Sequence, residues 1–398
     1  MLSLIKNEFI KVTFKKKSIF LMISFILLLS LITIFGYKYN KQLKIENTPE
    51  AKLEYLKDHK ENLIKEKNLT KDRVYIKDIE KDLQNIDADI FKLEKIINSN
   101  VKEDYWRITT KDSIKTKEEI LKKNNISNIE KLREKREIER LNILLKKDIP
   151  PMESEFNSFK FIEMVVNDVL GYFLLAIAII LFFSDIVSGE FTPSTLKLLM
   201  VQPVSRGKIL LSKFLTSVMY SLIFIYLAEF IFFIIVGFVS GFGNSNYPVF
   251  IGTFYKLNPL STDPSNTLIE VVNSTKIIPI WENTLYILLH QGLYIIACCA
   301  FSLLMSVVAK SNSGSLIFGV LSIVITSIST SFLKFLSKFS HVFFTTYGLS
   351  ADLFSGQLAN ITANHKITIG NSIICLVMWI IVCYLMSHLI FTKEDILI

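Results

Sequence analysis

Residues 188–214 read Ser-Gly-Glu-Phe-Thr-Pro-Ser-Thr-Leu-Lys-Leu-Leu-Met-Val-Gln-Pro-Val-Ser-Arg-Gly-Lys-Ile-Leu-Leu-Ser-Lys-Phe. The chemistry these types can do is docking rather than catalysis. Thr192 is a good helix N-cap and Pro193 suits the first helical position. A short helix is expected from there to about Val201, because Gln202 precedes Pro203 and is pushed out of helical backbone. Ser205 can cap the helix that follows. The short helix carries Leu196, Leu198, Leu199 and Met200 between two stops. A rigid apolar knob outside a bilayer suits a groove in a partner protein; resting on lipid at the interface is the alternative.

Other polar residues stand inside apolar runs. Glu229 lies near the middle of the run 215–239. A charge there costs at least about 2.5–3.5 kcal/mol, so it should face the bundle interior, a partner subunit or water, or be protonated. His290 and Gln291 can hydrogen-bond it if their depths match. The three residues suit a substrate path or a gating contact, or simply a buried hydrogen bond between helices. Glu163 and Asp168 lie near an outer end, where water is close, and His388 reads as structural. No nucleophile or metal-ligand spacing is present, so no catalytic or metal site and no cofactor is expected. There is no Gly-x-x-x-x-Gly-Lys-Ser/Thr phosphate loop anywhere in the 398 residues; this chain should not bind ATP itself and is not read as an enzyme.

The elements that position these residues follow from composition. The chain is 51% hydrophobic, yet 21% of it is charged. Both hold because the charge is segregated: residues 41–150 are dense in Lys and Glu, while most of 161–398 is apolar. The net charge of +8 sits largely beside apolar runs, where anionic lipid headgroups attract it, so no nucleic-acid partner is inferred. Cys298, Cys299, Cys375 and Cys383 fall inside predicted membrane helices and imply no disulfide framework. A span needs about 20 mostly apolar residues. Six stretches qualify, 18–37, 164–183, 215–239, 285–308, 314–333 and 367–391. The first, preceded by Lys15, Lys16 and Lys17, is too long for a signal peptide and reads as a retained anchor. Residues 1–17 place Leu4, Ile5, Phe9 and Val12 near one helical face, an amphipathic helix at the cytoplasmic surface. The fold class is therefore all-α: a multi-pass membrane protein with five further spans and the short helix at 193–201 inside residues 161–398.

Orientation follows from Lys and Arg in short loops. One side carries Lys6, Lys11, Lys15, Lys16, Lys17, Lys197, Arg206, Lys208, Lys213, Lys310 and Lys393; the other carries Lys256, Lys276, Lys334, Lys338 and Lys366, eleven against five. Both termini should be cytoplasmic and residues 38–160 outside. That segment holds no Gly and only Pro49 before Pro150. Ile76, Ile79, Leu83, Ile86, Ile90, Leu93 and Ile97 recur three and four apart, a coiled-coil seam. Ile138, Leu141 and Leu145 suggest a return helix, so an extracytoplasmic helical hairpin is expected. Residues 240–282 read as an irregular polar loop. Phe335, Phe339, Val342, Phe343 and Phe344 lie beside Lys334 and Lys338 in 334–366 and suit the membrane interface.

The stretch 188–214 strongly resembles the segment between the second and third helices of ABC-2 type permeases, in Glu190, Thr195-Leu196-Lys197, Pro203-Val204-Ser205-Arg206 and Lys213. Ser194 departs from the family's usual Gly. The opening Lys6-Asn7-Glu8-Phe9 and the ending Phe391-Thr392-Lys393-Glu394-Asp395-Ile396 look similar too; the 38–160 insertion is the main departure. The resemblance implies a permease of an ABC exporter in the plasma membrane. It implies a separate ATPase subunit, a dimer with an identical or different permease, and membrane lipids as partners. It assigns coupling to the ATPase to Glu190 and to Thr195, Leu196, Lys197, Leu198, Leu199 and Met200, with Arg206 at the docking rim. In that family the connection from span five to span six dips back into the outer leaflet. The other reading is an ABC-coupled regulator, or a scaffold displaying its coiled coil to a partner.

Overall fold

A computed structural model describes residues 1–46, 48–70, 72–98, 105–123, 128–151, 155–190, 204–258, 268–309, 311–332 and 334–393. Its described part forms two compact units, Met1–Thr33 with Asn157–Ile398, and Ile34–Phe156. The helices are α1 (Leu2–Thr13), α2 (Lys16–Glu46), α3 (Pro49–Leu69), α4 (Arg73–Asn98), α5 (Tyr105–Lys122), α6 (Asn128–Lys147), α7 (Ser158–Met164), α8 (Leu174–Phe183), α9 (Arg206–Ser240), α10 (Ile280–Val308), α11 (Asn312–Phe332) and α12 (Ile369–Lys393).

In the first unit, α2, α9, α10 and α12 are long and apolar enough to cross a membrane. The expected span 164–183 is not one straight helix. Its chain runs through α7, a wide π-type turn at Val165–Val169 and a non-helical step before α8, and the two halves are bent by 73°. Two long-range contacts account for the break. Gly171 and Gly348 meet backbone to backbone, so that a Cβ on Gly348 would overlap the Gly171 carbonyl oxygen. Asn167 donates to Asp352 Oδ2 and accepts from the Asp352 backbone N–H, both at 3.1 Å. The fifth expected span, 314–333, falls on α11, Asn312–Phe332.

The central helix is α10, which packs on α8, α9, α11 and α12. Small residues at its core positions, among them Ala297, Ala300, Ser302 and Ser306, are buried and let neighbours approach closely. Residues 334–366 contain short helical turns, including Ser350–Ser355 and Gln357–Ile361. The described residues of 240–282 include two short strand pairs where an irregular loop was expected. Strand β1 (Pro248–Ile251) pairs antiparallel with β4 (Lys276–Pro279), with Val249 opposite Ile278, and β2 (Tyr255–Leu257) pairs with β3 (Leu268–Glu270). Gly356, at φ +88°, takes a backbone that glycine tolerates best, and a Cβ there would collide with the Thr253 carbonyl.

Among its described residues, the unit Ile34–Phe156 contains four complete helices where a single hairpin was expected. Thr48 caps α3, accepting from Ala51 N–H at 3.2 Å, and Pro49 fills the first helical position. The seam read from sequence lies on α4, with Ile79, Ile86 and Leu93 buried seven residues apart. Its partner is α3, not the helix carrying Ile138, Leu141 and Leu145, which is α6 and pairs with α5. Lys57–Glu94 at 2.8 Å and Lys67–Glu80 at 2.7 Å fix α3 and α4 antiparallel. Within the same unit the buried side chain of Asn40 accepts from Phe156 N–H at 3.1 Å, clasping the entering chain to the leaving chain.

Candidate functional site

The apolar run of α8 ends in Phe183-Ser184-Asp185, and the chain turns through a 3₁₀ segment, Ser188–Glu190. That turn is held from several sides. The backbone N–H groups of Val187 and Ser188 both donate to Ser306 Oγ of α10 at 3.0 Å. Ser315 Oγ of α11 donates to the Ser184 carbonyl at 2.6 Å. The residues after it, including Thr195, Leu196, Lys197, Leu198, Leu199 and Met200, lie outside the described residues. The chain returns at Val204, and Ser205 stands at the N-cap of α9 in extended backbone, without a side-chain cap bond.

The two edges of this loop are joined by a buried ionic cluster. Glu190, 2% exposed, receives Lys213 Nζ of α9 at 2.7 Å, and Lys213 is fully buried. Lys213 also reaches Glu8 Oε1 at 3.0 Å, and Lys11 Nζ donates to the same Glu190 oxygen at 2.7 Å. Glu8 and Lys11 both come from α1. Burial disfavours the Lys11 ammonium, but the hydrogen bond and charge of Glu190 outweigh it and hold its pKa above the ordinary lysine value. Two lysines and two carboxylates compensate one another here, the condition under which buried charge is tolerated. The apolar face of α1 is partly covered by α9, with Leu4, Ile5 and Phe9 half-buried. Phe9 meets Tyr220 of α9 at 5.1 Å between ring centroids, and Val12 is buried.

Arg206 turns inward, its Nη1 3.5 Å from the Thr392 carbonyl near the C-terminal end of α12, where a cation complements the helix dipole. Gly207 lies against His388, close enough that a Cβ would crowd the imidazole. Glu190 and Arg206 thus frame the loop through internal contacts.

In the membrane-crossing part, Gln291 Nε2 donates to Glu229 Oε1 at 2.7 Å, and both side chains are buried. His290 does not join them. Consecutive residues on a helix point roughly 100° apart, so only one of the pair can face α9. His290 instead lies between Ser350 Oγ at 2.9 Å and Ser372 Oγ of α12 at 3.2 Å. Glu8, Lys11 and Asp185 were not singled out as site residues from sequence. The available signal was an acid at the end of the apolar run of α8, and Glu8 and Lys11 about one turn apart on the amphipathic α1.

A model of the family described as ABC-2 family transporter protein matches residues 2–396. Among curated proteins none shows significant similarity to the chain.

Proposed function

The chain belongs to the ABC-2 family of transporter proteins and is a membrane subunit of an ABC transporter; from that premise we propose that it is the permease of an exporter driven by a separate ATPase subunit. The observation that carries the coupling role is the buried Glu190–Lys213 pair, 2.7 Å long, which ties the turn that leads into residues 191–203 to the N-terminal part of α9. Because both edges of the loop are tied together and to α1, force applied to it by a partner would be delivered to α8 and α9 at once. The loop residues Thr195 to Met200 make the contact; Glu190 and Arg206 hold the frame. With six spans, the second broken at Gly171, both termini share one side, and the excess of Lys and Arg in the short loops of that side argues for the cytoplasm, with residues 38–160 outside. The Glu229–Gln291 pair is the polar contact between α9 and α10 that a gating motion would make or break. A second permease, identical or not, completes the translocation path.

Purifying the intact chain in mild detergent from its native membrane should bring down a nucleotide-binding chain with ATPase activity. Recovery of the chain with no ATPase, from membranes where transport is intact, would remove the coupling role and leave the scaffold reading. The topology has its own check. A cysteine introduced at Lys95 should react with a membrane-impermeant maleimide in intact cells, and one at Lys393 should react only after lysis; labelling of the latter in intact cells would reverse the orientation.

A further inference from the structure

Between α2, α8 and α9 lies a cleft of about 210 Å³, walled by Leu21, Phe25, Leu28, Ala178, Phe182 and Phe224. The few hydroxyls on its lining are engaged elsewhere: Ser24 Oγ donates to the Phe20 carbonyl, and Tyr220 OH to Met22 Sδ. A cavity lined this way stays dry and takes hydrocarbon; about 150 Å³ already suffices for an aromatic ring. One end of the cleft is marked by charge. Lys17 stands four residues before Leu21, and Asp185 three residues after Phe182, about one helical turn on each helix. There Lys15 reaches Asp185 Oδ2 at 3.2 Å and Lys17 reaches Asp185 Oδ1 at 3.4 Å, with Lys16 exposed beside them. Three cations against one anion leave a net charge of +2 at this end (3 − 1). An occupant must therefore be apolar along its length and negative at its head.

We propose that this cleft is a binding site for an anionic phospholipid, with one acyl chain between α2, α8 and α9 and the phosphate at Lys15–Lys17. The site needs only that α2 and α8 lie in a bilayer with Lys15 at a headgroup surface; it stands whether or not the chain couples to an ATPase. Lysines at a headgroup surface each add to the attraction for anionic lipid, and the rim offers three of them within one turn of the apolar walls. Binding here would brace the start of α2 against the end of α8, next to the turn that leads into residues 191–203.

The test uses the full-length chain with Phe182→Trp as a reporter in the cleft wall. It is reconstituted into phosphatidylcholine vesicles containing phosphatidylglycerol, with bromine on the acyl chains of one lipid or the other. The unsubstituted chain, which carries Trp106, Trp281 and Trp379, supplies the background. At equal mole fraction, brominated phosphatidylglycerol should quench the reporter with roughly tenfold higher apparent affinity than brominated phosphatidylcholine. Lys15→Gln with Lys16→Gln should erase that preference. Ala178→Phe, which fills the cleft and leaves the cations in place, should reduce quenching by both lipids. sn-Glycerol 3-phosphate should not compete. Equal quenching by the two lipids, a preference that survives both sets of substitutions, or full competition by glycerol phosphate would each overturn the site, as would a reporter that neither lipid quenches because another amphiphile holds the cleft.

Discussion

Lys213→Met is expected to destabilise the transmembrane unit by about 3–5 kcal/mol, the range found when one partner of a buried ion pair is removed. The reason is the geometry around its ammonium. Lys213 is wholly buried and holds two carboxylates, Glu190 at 2.7 Å and Glu8 at 3.0 Å. Methionine matches the length of the stem but carries no charge. Glu190, 2% exposed, would keep only Lys11, a side chain 47% exposed. Glu8 would lose the one ion-pair partner described for it, but it lies nearer the surface, at 13% exposure, and would suffer less. Adding Glu190→Gln to Lys213→Met should restore much of the loss, because the buried negative charge then disappears as well. Thermal unfolding of the purified chain in detergent checks this. A single variant as stable as the parent, or a double variant no better than the single, would mean that water or another group solvates the cluster. In cells the single variant should also lower the amount of chain in the membrane, since one to two kcal/mol already changes abundance several-fold.

The spans were legible because a bilayer demands about 20 mostly apolar residues, and α2, α9, α10 and α12 supply them as continuous helices. The break in the second span was not, because its causes lie far away in sequence. A window over residues 164–183 sees a mostly apolar run with Asn167, Asp168 and one glycine near its start. It does not see Gly348 pressed against Gly171, or Asp352 meeting the Asn167 amide through both its carboxylate and its backbone N–H. The strands at 248–251 and 276–279 were missed for a related reason: each is four residues long, too short to show an alternating pattern. On α4 the heptad seam was plain, yet the choice of partner was not. The sequence pattern favoured the stretch around Leu141, whereas the structure packs α4 on α3, with the ion pairs of Lys57 and Lys67 at its edges.

The ionic cluster shows the same division. The sequence marks Glu190 and Lys213 as members of one motif and Glu8 as part of another, with nothing to say that they touch. In space they are one group, and the motif residues become intelligible as the two ends of a closed loop. We infer that Glu190 serves coupling from behind the docking residues, since its carboxylate is buried against Lys213 and Lys11. The Glu229–Gln291 bond was within reach of sequence reasoning, because both are polar residues in apolar runs; which of His290 and Gln291 would face α9 depended on helix rotation and was not.

Replacing Leu198 and Leu199 together with aspartate should abolish association with the ATPase and transport, while the chain still reaches the membrane at normal levels. Both leucines follow Pro193 and fall between the spans at 164–183 and 215–239. Apolar side chains held in water are unfavourable by about 25 cal/mol per Å² that a partner could cover. If a groove on the ATPase covers them, two carboxylates placed there would be stripped of water without compensation, at a cost of several kcal/mol of docking energy. At about 1.4 kcal/mol per tenfold, that is a loss of at least two orders of magnitude in affinity. The membrane helices gain nothing from these two residues by the span boundaries, so insertion should continue. The contrast with Lys213→Met is the informative part. That variant should lose stability first and association as a consequence, whereas the aspartate pair should lose association with thermal stability unchanged. Co-purification, membrane abundance and unfolding temperature measured on the same preparations separate the two. A double aspartate variant that retains its ATPase and transports normally would leave the 193–201 segment as a helix resting on lipid, and the coupling contact would have to be sought elsewhere on the cytoplasmic face.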